Sequence, residues 1–261
     1  MATSTSSTSY WRAARSPRYS LTFAFPLLVA YEVLAFTLSH ASLTGVRNGA
    51  DVLLKSVFVL VGGRNGLVVF GALLVGTGLV LVWRDRRRSG PMTGRVFVLM
   101  MVESVVYALA FGLVTGTLTG LLLHGLTTAA APLPASMRAG LLQAPSARGI
   151  ALPTQLMISL GAGIYEELLF RVLLVGALAW LARRGFGWRP AGAGVFATAL
   201  GALVFSGFHY IGPYGDRLEL ASFTFRAVAG VLFSALYLLR GFGITAWTHA
   251  LYDVFLSLVR I

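Results

Sequence analysis

Long apolar runs alternate along the chain with short polar breaks that carry most of its arginines. The runs fall at 20–39, 66–83, 95–124, 152–182, 191–211, 222–239 and 243–259. At a rise of about 1.5 Å per residue, a helix of about 20 apolar residues crosses a hydrocarbon core of ~30 Å. Residues 49–61 are different, because Asp51 and Lys55 interrupt a set of Val, Leu and Phe. That pattern predicts a helix lying at the interface or only partly inserted. The expected fold is therefore all-α: a polytopic transmembrane helix bundle with about seven spans plus an interfacial helix. Residues 1–19 form the N-terminal tail, 20–151 the N-terminal membrane helices with their connecting loops, and 152–261 a helical core. The longest connection, 125–150, holds Pro132, Pro134 and Pro145 with Arg138 and Arg148, and is a candidate lid or gate.

Composition supports this class, since 57% of residues are hydrophobic and only 11% charged, far from a soluble globular average. The net charge of +12 would suggest a nucleic-acid partner if the basic residues were clustered. They lie instead between apolar runs, where they orient helices in a bilayer, so nucleic acid is not an expected partner. Arg12, Arg15, Arg18, Arg84, Arg86, Arg87, Arg88, Arg95, Arg183, Arg184, Arg189 and Arg240 fall on one side of the predicted topology. The smaller set of Arg47, Lys55, Arg64, Arg138, Arg148, Arg217, Arg226 and Arg260 falls on the other, which places the N-terminus in the cytoplasm. The first run is as long as a full span and lacks a small-residue cleavage site, so it is expected to stay as a helix. Arginine far outnumbers lysine, and with many alanines and glycines this points to a GC-rich, bacterial coding sequence and a cell-membrane location. With no cysteine in the chain, disulfides, thiolate metal sites and a cysteine nucleophile are all excluded.

Against that apolar background the acidic residues stand out. Of nine in the chain, Glu32, Glu103, Glu166, Glu167 and Asp253 fall inside predicted spans. A charge at a helix centre costs about 2.5–3.5 kcal/mol on insertion scales, so a retained one has a partner or a task. Glu32 and Glu103 fit no pattern, and an interhelical hydrogen bond is the default for both. The stretch GIYEELLFRVLL is more specific. Glu167 and Arg171 stand four apart on one helix face and can pair, whereas Glu166 is turned about 100° away, on the face of Phe170. A later span ends in FSGFHY, with Phe205 and His209 four apart, and the last contains THALYD, with His249 and Asp253 four apart. One carboxylate and two imidazoles on three helices suit a water-activating site, with glutamate as general base and the histidines holding water or stabilising an oxyanion. Straight upright helices would hold these groups at different depths, so a bend or strong tilt is expected in the fourth span or after Gly207.

The ordered set Glu-Glu-x-x-x-Arg, Phe-x-x-x-His and His-x-x-x-Asp resembles the CPBP family of intramembrane endopeptidases, which includes Rce1-type CAAX proteases and bacteriocin-processing relatives. The resemblance covers roughly 152–258 and makes 152–261 a catalytic core of that type. It implies an endopeptidase that cleaves a membrane-anchored protein or peptide. By it, Glu166 activates water, Glu167 and Arg171 support it, and His209 and His249 complete the site. Asp253 stands where the best-known eukaryotic-type members have Asn, and bacterial ones Asn or Asp. An Asn amide donates to an oxyanion, but an ionised Asp only accepts. Asp253 is therefore either protonated or orients His249, the second being favoured. No cofactor is expected from the residues, although a Glu166, His209 and His249 set would also suit zinc; no HExxH motif accompanies it. Two other classes compete. Ser206 beside His209 suggests a rhomboid-like serine protease, and buried Glu, Arg and His could serve a transporter, although no inverted repeat is visible.

Overall fold

The computed structural model describes residues 4–38, 46–87, 91–126, 151–212 and 215–259. The candidate lid at 125–150 lies almost wholly outside the described residues. Among those described, every regular element is helical. The helices are α1 (Ser4–Arg15), α2 (Pro17–Leu38), α3 (Gly49–Gly62), α4 (Gly66–Arg86) and α5 (Gly94–Leu126). Next comes α6 (Leu152–Gly161), which runs through a π-helical stretch (Ala162–Val175) into α7 (Gly176–Gly185). The chain ends in α8 (Pro190–Phe208), α9 (Leu220–Arg240) and α10 (Phe242–Val259). Six segments among the described residues are long and apolar enough to cross a membrane: 17–38, 49–86, 94–124, 190–208, 220–240 and 242–259. The fourth predicted span corresponds to the run 152–185. Its irregularity is the π-helical stretch, which carries the Glu-Glu-x-x-x-Arg motif.

Polarity is inverted relative to a soluble protein. Phe36, Leu60, Val68, Leu113 and Val195 are each at least 70% exposed, whereas Asp51, Glu167, Arg171 and Arg240 are 0–1% exposed. In water such an apolar surface would drive association; against lipid tails it matches the solvent. The described chain thus has the character of an integral membrane protein.

α3, at 14 residues, reaches about 21 Å, short of a crossing. A single 3₁₀ turn at Gly63–Asn65 folds it back on α4, where Phe58 meets Phe70 with ring centroids 5.2 Å apart. α3 corresponds to the separate helix expected at 49–61. Its start is set by Asn48, whose Oδ1 accepts from the Ala50 and Asp51 amides at 2.9 and 3.4 Å. That is the usual way to satisfy orphaned amides at a helix N-terminus.

The chain divides into two units. The first comprises Met1–Tyr107, Ala151–Glu167 and Leu236–Ile261, and the second Ala108–Ile150 and Leu168–Ala235. In the first, α10 packs on α2 and α6, and α2 packs on α4. Ala14, Tyr19, Phe23, Met100 and Ile244 form a buried cluster there. Donors are satisfied across helices: the Gly243 amide donates to Ser20 Oγ at 2.7 Å, and the Trp247 indole Nε1 to the Phe23 carbonyl at 2.7 Å. Glu103 finds the interhelical partners that its position demanded, accepting from Arg240 Nη2 at 2.6 Å and from the Tyr10 hydroxyl. Burial, and then the hydrogen bond to that carboxylate, push the Tyr10 phenol above its ordinary value. In the second unit, α7 packs on α8, and Phe111 stacks on Phe233 at 4.0 Å.

Candidate functional site

The π-helical stretch sets two neighbouring carboxylates in the first unit against different partners. Glu167, fully buried, accepts from His249 Nδ1 of α10 at 2.7 Å. Glu166, 7% exposed, accepts from Asn48 Nδ2 at 2.8 Å. The two partners belong to different helices because adjacent residues point in directions roughly a quarter-turn apart. An ionised carboxylate can only accept, so in this contact His249 donates from Nδ1. Asp253 Oδ2 stands 3.7 Å from Nε2 of the same ring, within ion-pair range and outside hydrogen-bond range. Of Glu167 and Asp253, Glu167 makes the nearer contact with His249.

Close backbone approach makes this meeting of helices feasible. A Cβ on Gly161 would lie 2.5 Å from the Tyr31 ring and 2.7 Å from Asn48 Cβ, and one on Gly163 would lie 2.4 Å from the Ala246 carbonyl oxygen and 2.7 Å from Ala250 Cβ. Only glycine allows α2, the α3 cap and α10 to come this near the motif helix. Because the obstacle at Gly163 is backbone, Gly163→Ala is expected to cost about 1–3 kcal/mol. It should also displace the turn of α10 that carries His249. Thermal unfolding in detergent checks it; a midpoint equal to that of the unsubstituted protein would refute the close approach.

Behind Glu166 lies a compensated charge network that the sequence did not reveal. Asp51, fully buried, accepts from the Tyr31 hydroxyl at 2.6 Å and from Arg47 Nη1 at 2.9 Å, and its other oxygen is 2.7 Å from Lys55 Nζ. Lys55 also donates to Glu32 at 2.9 Å, and the Tyr165 hydroxyl donates to the same Glu32 oxygen. Glu32 is thereby explained as an interhelical acceptor. Two acids and two bases balance, and Tyr165 is the chain neighbour of Glu166.

The second unit carries Arg171 and His209. Arg171, 1% exposed, lies over the Phe205 ring at 4.4 Å and over Phe233 at 5.5 Å, contacts in which a guanidinium is attracted to an aromatic face. Phe205 thus does more than fill space, since it also stands edge-on to His209 at 4.9 Å. His209 Nδ1 is 2.9 Å from the Phe205 carbonyl, which can only accept, so here too Nδ1 donates. Ser206 Oγ donates to the Phe223 carbonyl at 2.7 Å. Its hydroxyl proton is therefore given to a carbonyl and not to a base, which argues against a serine nucleophile. Within each unit, among the described residues, no three His, Asp or Glu side chains gather as a metal ion would require.

Asn48 escaped the sequence reading. Its signal was present as a cap, Asn followed three residues on by Asp at the start of an apolar run, but the target of its spare amide was not.

A helical membrane protein with paired buried carboxylates, one of them holding an imidazole, is the class that these helices define. Residues 148–255 match the family model of the Rce1-like type II CAAX prenyl endopeptidases. That segment is less than half of the chain and contains Glu166, Glu167, Arg171, His209, His249 and Asp253, the residues of the three motifs. The match points to a protease. No curated protein and no solved structure gave a match.

Proposed function

We propose that the chain is an intramembrane endopeptidase of glutamic type that hydrolyses a peptide bond in a membrane-anchored protein or peptide. The observation that carries this reading is the division of labour between neighbours: Glu167 holds His249 at 2.7 Å, while Glu166 rests on a neutral amide. In this reading a water molecule bound at Glu166 gives its proton to that carboxylate as its oxygen attacks the scissile carbonyl carbon. The tetrahedral intermediate then collapses, the carbon–nitrogen bond breaks, and the proton passes from Glu166 to the leaving amine. His249 Nε2, aimed by the bond on the opposite ring nitrogen, orders the water and the substrate. His209 and Arg171 enter by the family motif alone, His209 to stabilise charge and Arg171 to support the carboxylates.

Glu167→Gln preserves size but presents a donor to His249 Nδ1, which favours the other tautomer. Loss of such an orienting partner typically costs about 10- to 100-fold, and kcat is expected to fall by that much with KM little changed. The test of the function is cleavage, without any ion gradient, of a fluorescence-quenched peptide with a prenylated C-terminal motif by purified protein in proteoliposomes. A Ser206→Ala variant should retain activity; loss there with retention in Glu166→Gln would hand the site to a serine mechanism. Comparing precursors that accumulate in membranes with and without Glu166→Gln would name the natural substrate.

A further inference from the structure

We propose that Asn48, which lies outside the matched segment, is a positioning residue for Glu166, holding the carboxylate through its side-chain amide. The inference rests on the catalytic reading of Glu166. Three observations support it. Asn48 is 3% exposed, so water does not compete for its hydrogen bonds. Its Oδ1 is committed to the first amides of α3, at 2.9 Å from Ala50 and 3.4 Å from Asp51, and this turns the NH₂ group the other way. That NH₂ donates to Glu166 Oε1 at 2.8 Å.

The orientation of an Asn amide is often ambiguous, because its two ends look alike. Here the backbone decides it. Two amide N–H groups need an acceptor and a carboxylate needs a donor, and only one rotamer end serves each. The residue is fixed again on its backbone, whose carbonyl accepts from Val52 at 3.1 Å. Gly161 adds steric definition, since nothing larger fits between the motif helix and Asn48 Cβ. One oxygen of Glu166 is thus pinned to a helix start in the N-terminal half of the chain.

Capping and positioning can be separated because they use opposite ends of the side chain. Ser caps a helix about as well as Asn but is too short to reach Glu166 while doing so. Asp also caps as well, keeps the length, and replaces the donor with an acceptor. With the prenylated quenched peptide as probe, Asn48→Ser is expected to lower kcat about tenfold or more, with KM within twofold and the unfolding midpoint unchanged. Asn48→Asp should lower kcat further. Wild-type kcat in Asn48→Ser overturns the proposal, and so does a loss of activity that only parallels loss of folded protein, since Asn48 then acts through the cap alone. Glu166→Gln assayed in parallel separates the two readings. If it is active, the proposed function fails. If it is inactive while Asn48→Ser matches wild type, only the positioning role fails.

Discussion

Glu166→Gln is expected to abolish peptide cleavage while leaving the fold intact. The amide has the size of the carboxylate but no basicity, so it cannot take the proton of the attacking water. General-base catalysis by a positioned side chain is worth about 10²–10⁴-fold, and a loss of that order in kcat is the expected result. Folding should be little affected, because a Gln oxygen can still accept from Asn48 Nδ2 as Glu166 Oε1 does. The assay is single-turnover cleavage of the prenylated probe, with the unfolding midpoint measured alongside. Undiminished cleavage by a correctly folded Glu166→Gln protein would remove the basis of the glutamic mechanism.

The second large effect is on stability. Asp51→Ala removes the acceptor of Tyr31 and Arg47 and the ion-pair partner of Lys55 from a site that is fully buried. Glu32 alone then faces two cations, with Lys55 Nζ at 2.9 Å and Arg47 Nη1 at 3.7 Å. Removing one partner of a buried ion pair costs about 3–5 kcal/mol, mainly through the charge left uncompensated. Unfolding in detergent should show a loss of that order, and Asn, which keeps one acceptor oxygen, should recover part of it. A loss below about 1 kcal/mol would mean that the network is well hydrated and not a structural anchor of α2, α3 and the motif helix. The same network supports Tyr165, the neighbour of Glu166, so a drop in activity should accompany the drop in stability.

Much was legible before any coordinates. Hydropathy gave the spans, because the length of an apolar run is tied to membrane thickness whatever the helices do next. The same logic flagged Glu32, Glu103, Glu166 and Glu167, since charge in a span is expensive enough to need a partner. Helical spacing separated the faces of Glu166 and Glu167. It could not name their partners, because those lie on helices far away in sequence: His249 is 82 residues from Glu167 and Asn48 is 118 from Glu166. The spacing of His249 and Asp253 suggested that one orients the other. The shorter bond goes to Glu167, since an i,i+4 pair shares a face without being obliged to touch.

By itself, then, the sequence determined an all-helical membrane protein and the three motifs that lie within the segment matching the protease family model. Both follow from local periodicity and the cost of burying charge. Only the tertiary structure decided which neighbouring carboxylate holds the imidazole and which rests on the amide. It also decided that the motif helix takes π form and that a cap from the N-terminal half reaches the candidate site. The reason is physical: in a bilayer, lipid-facing and protein-facing positions are both apolar, so hydropathy does not say which faces meet. Backbone contact at Gly161 and Gly163 and the hydrogen-bonding demands of a few buried polar groups choose the partners.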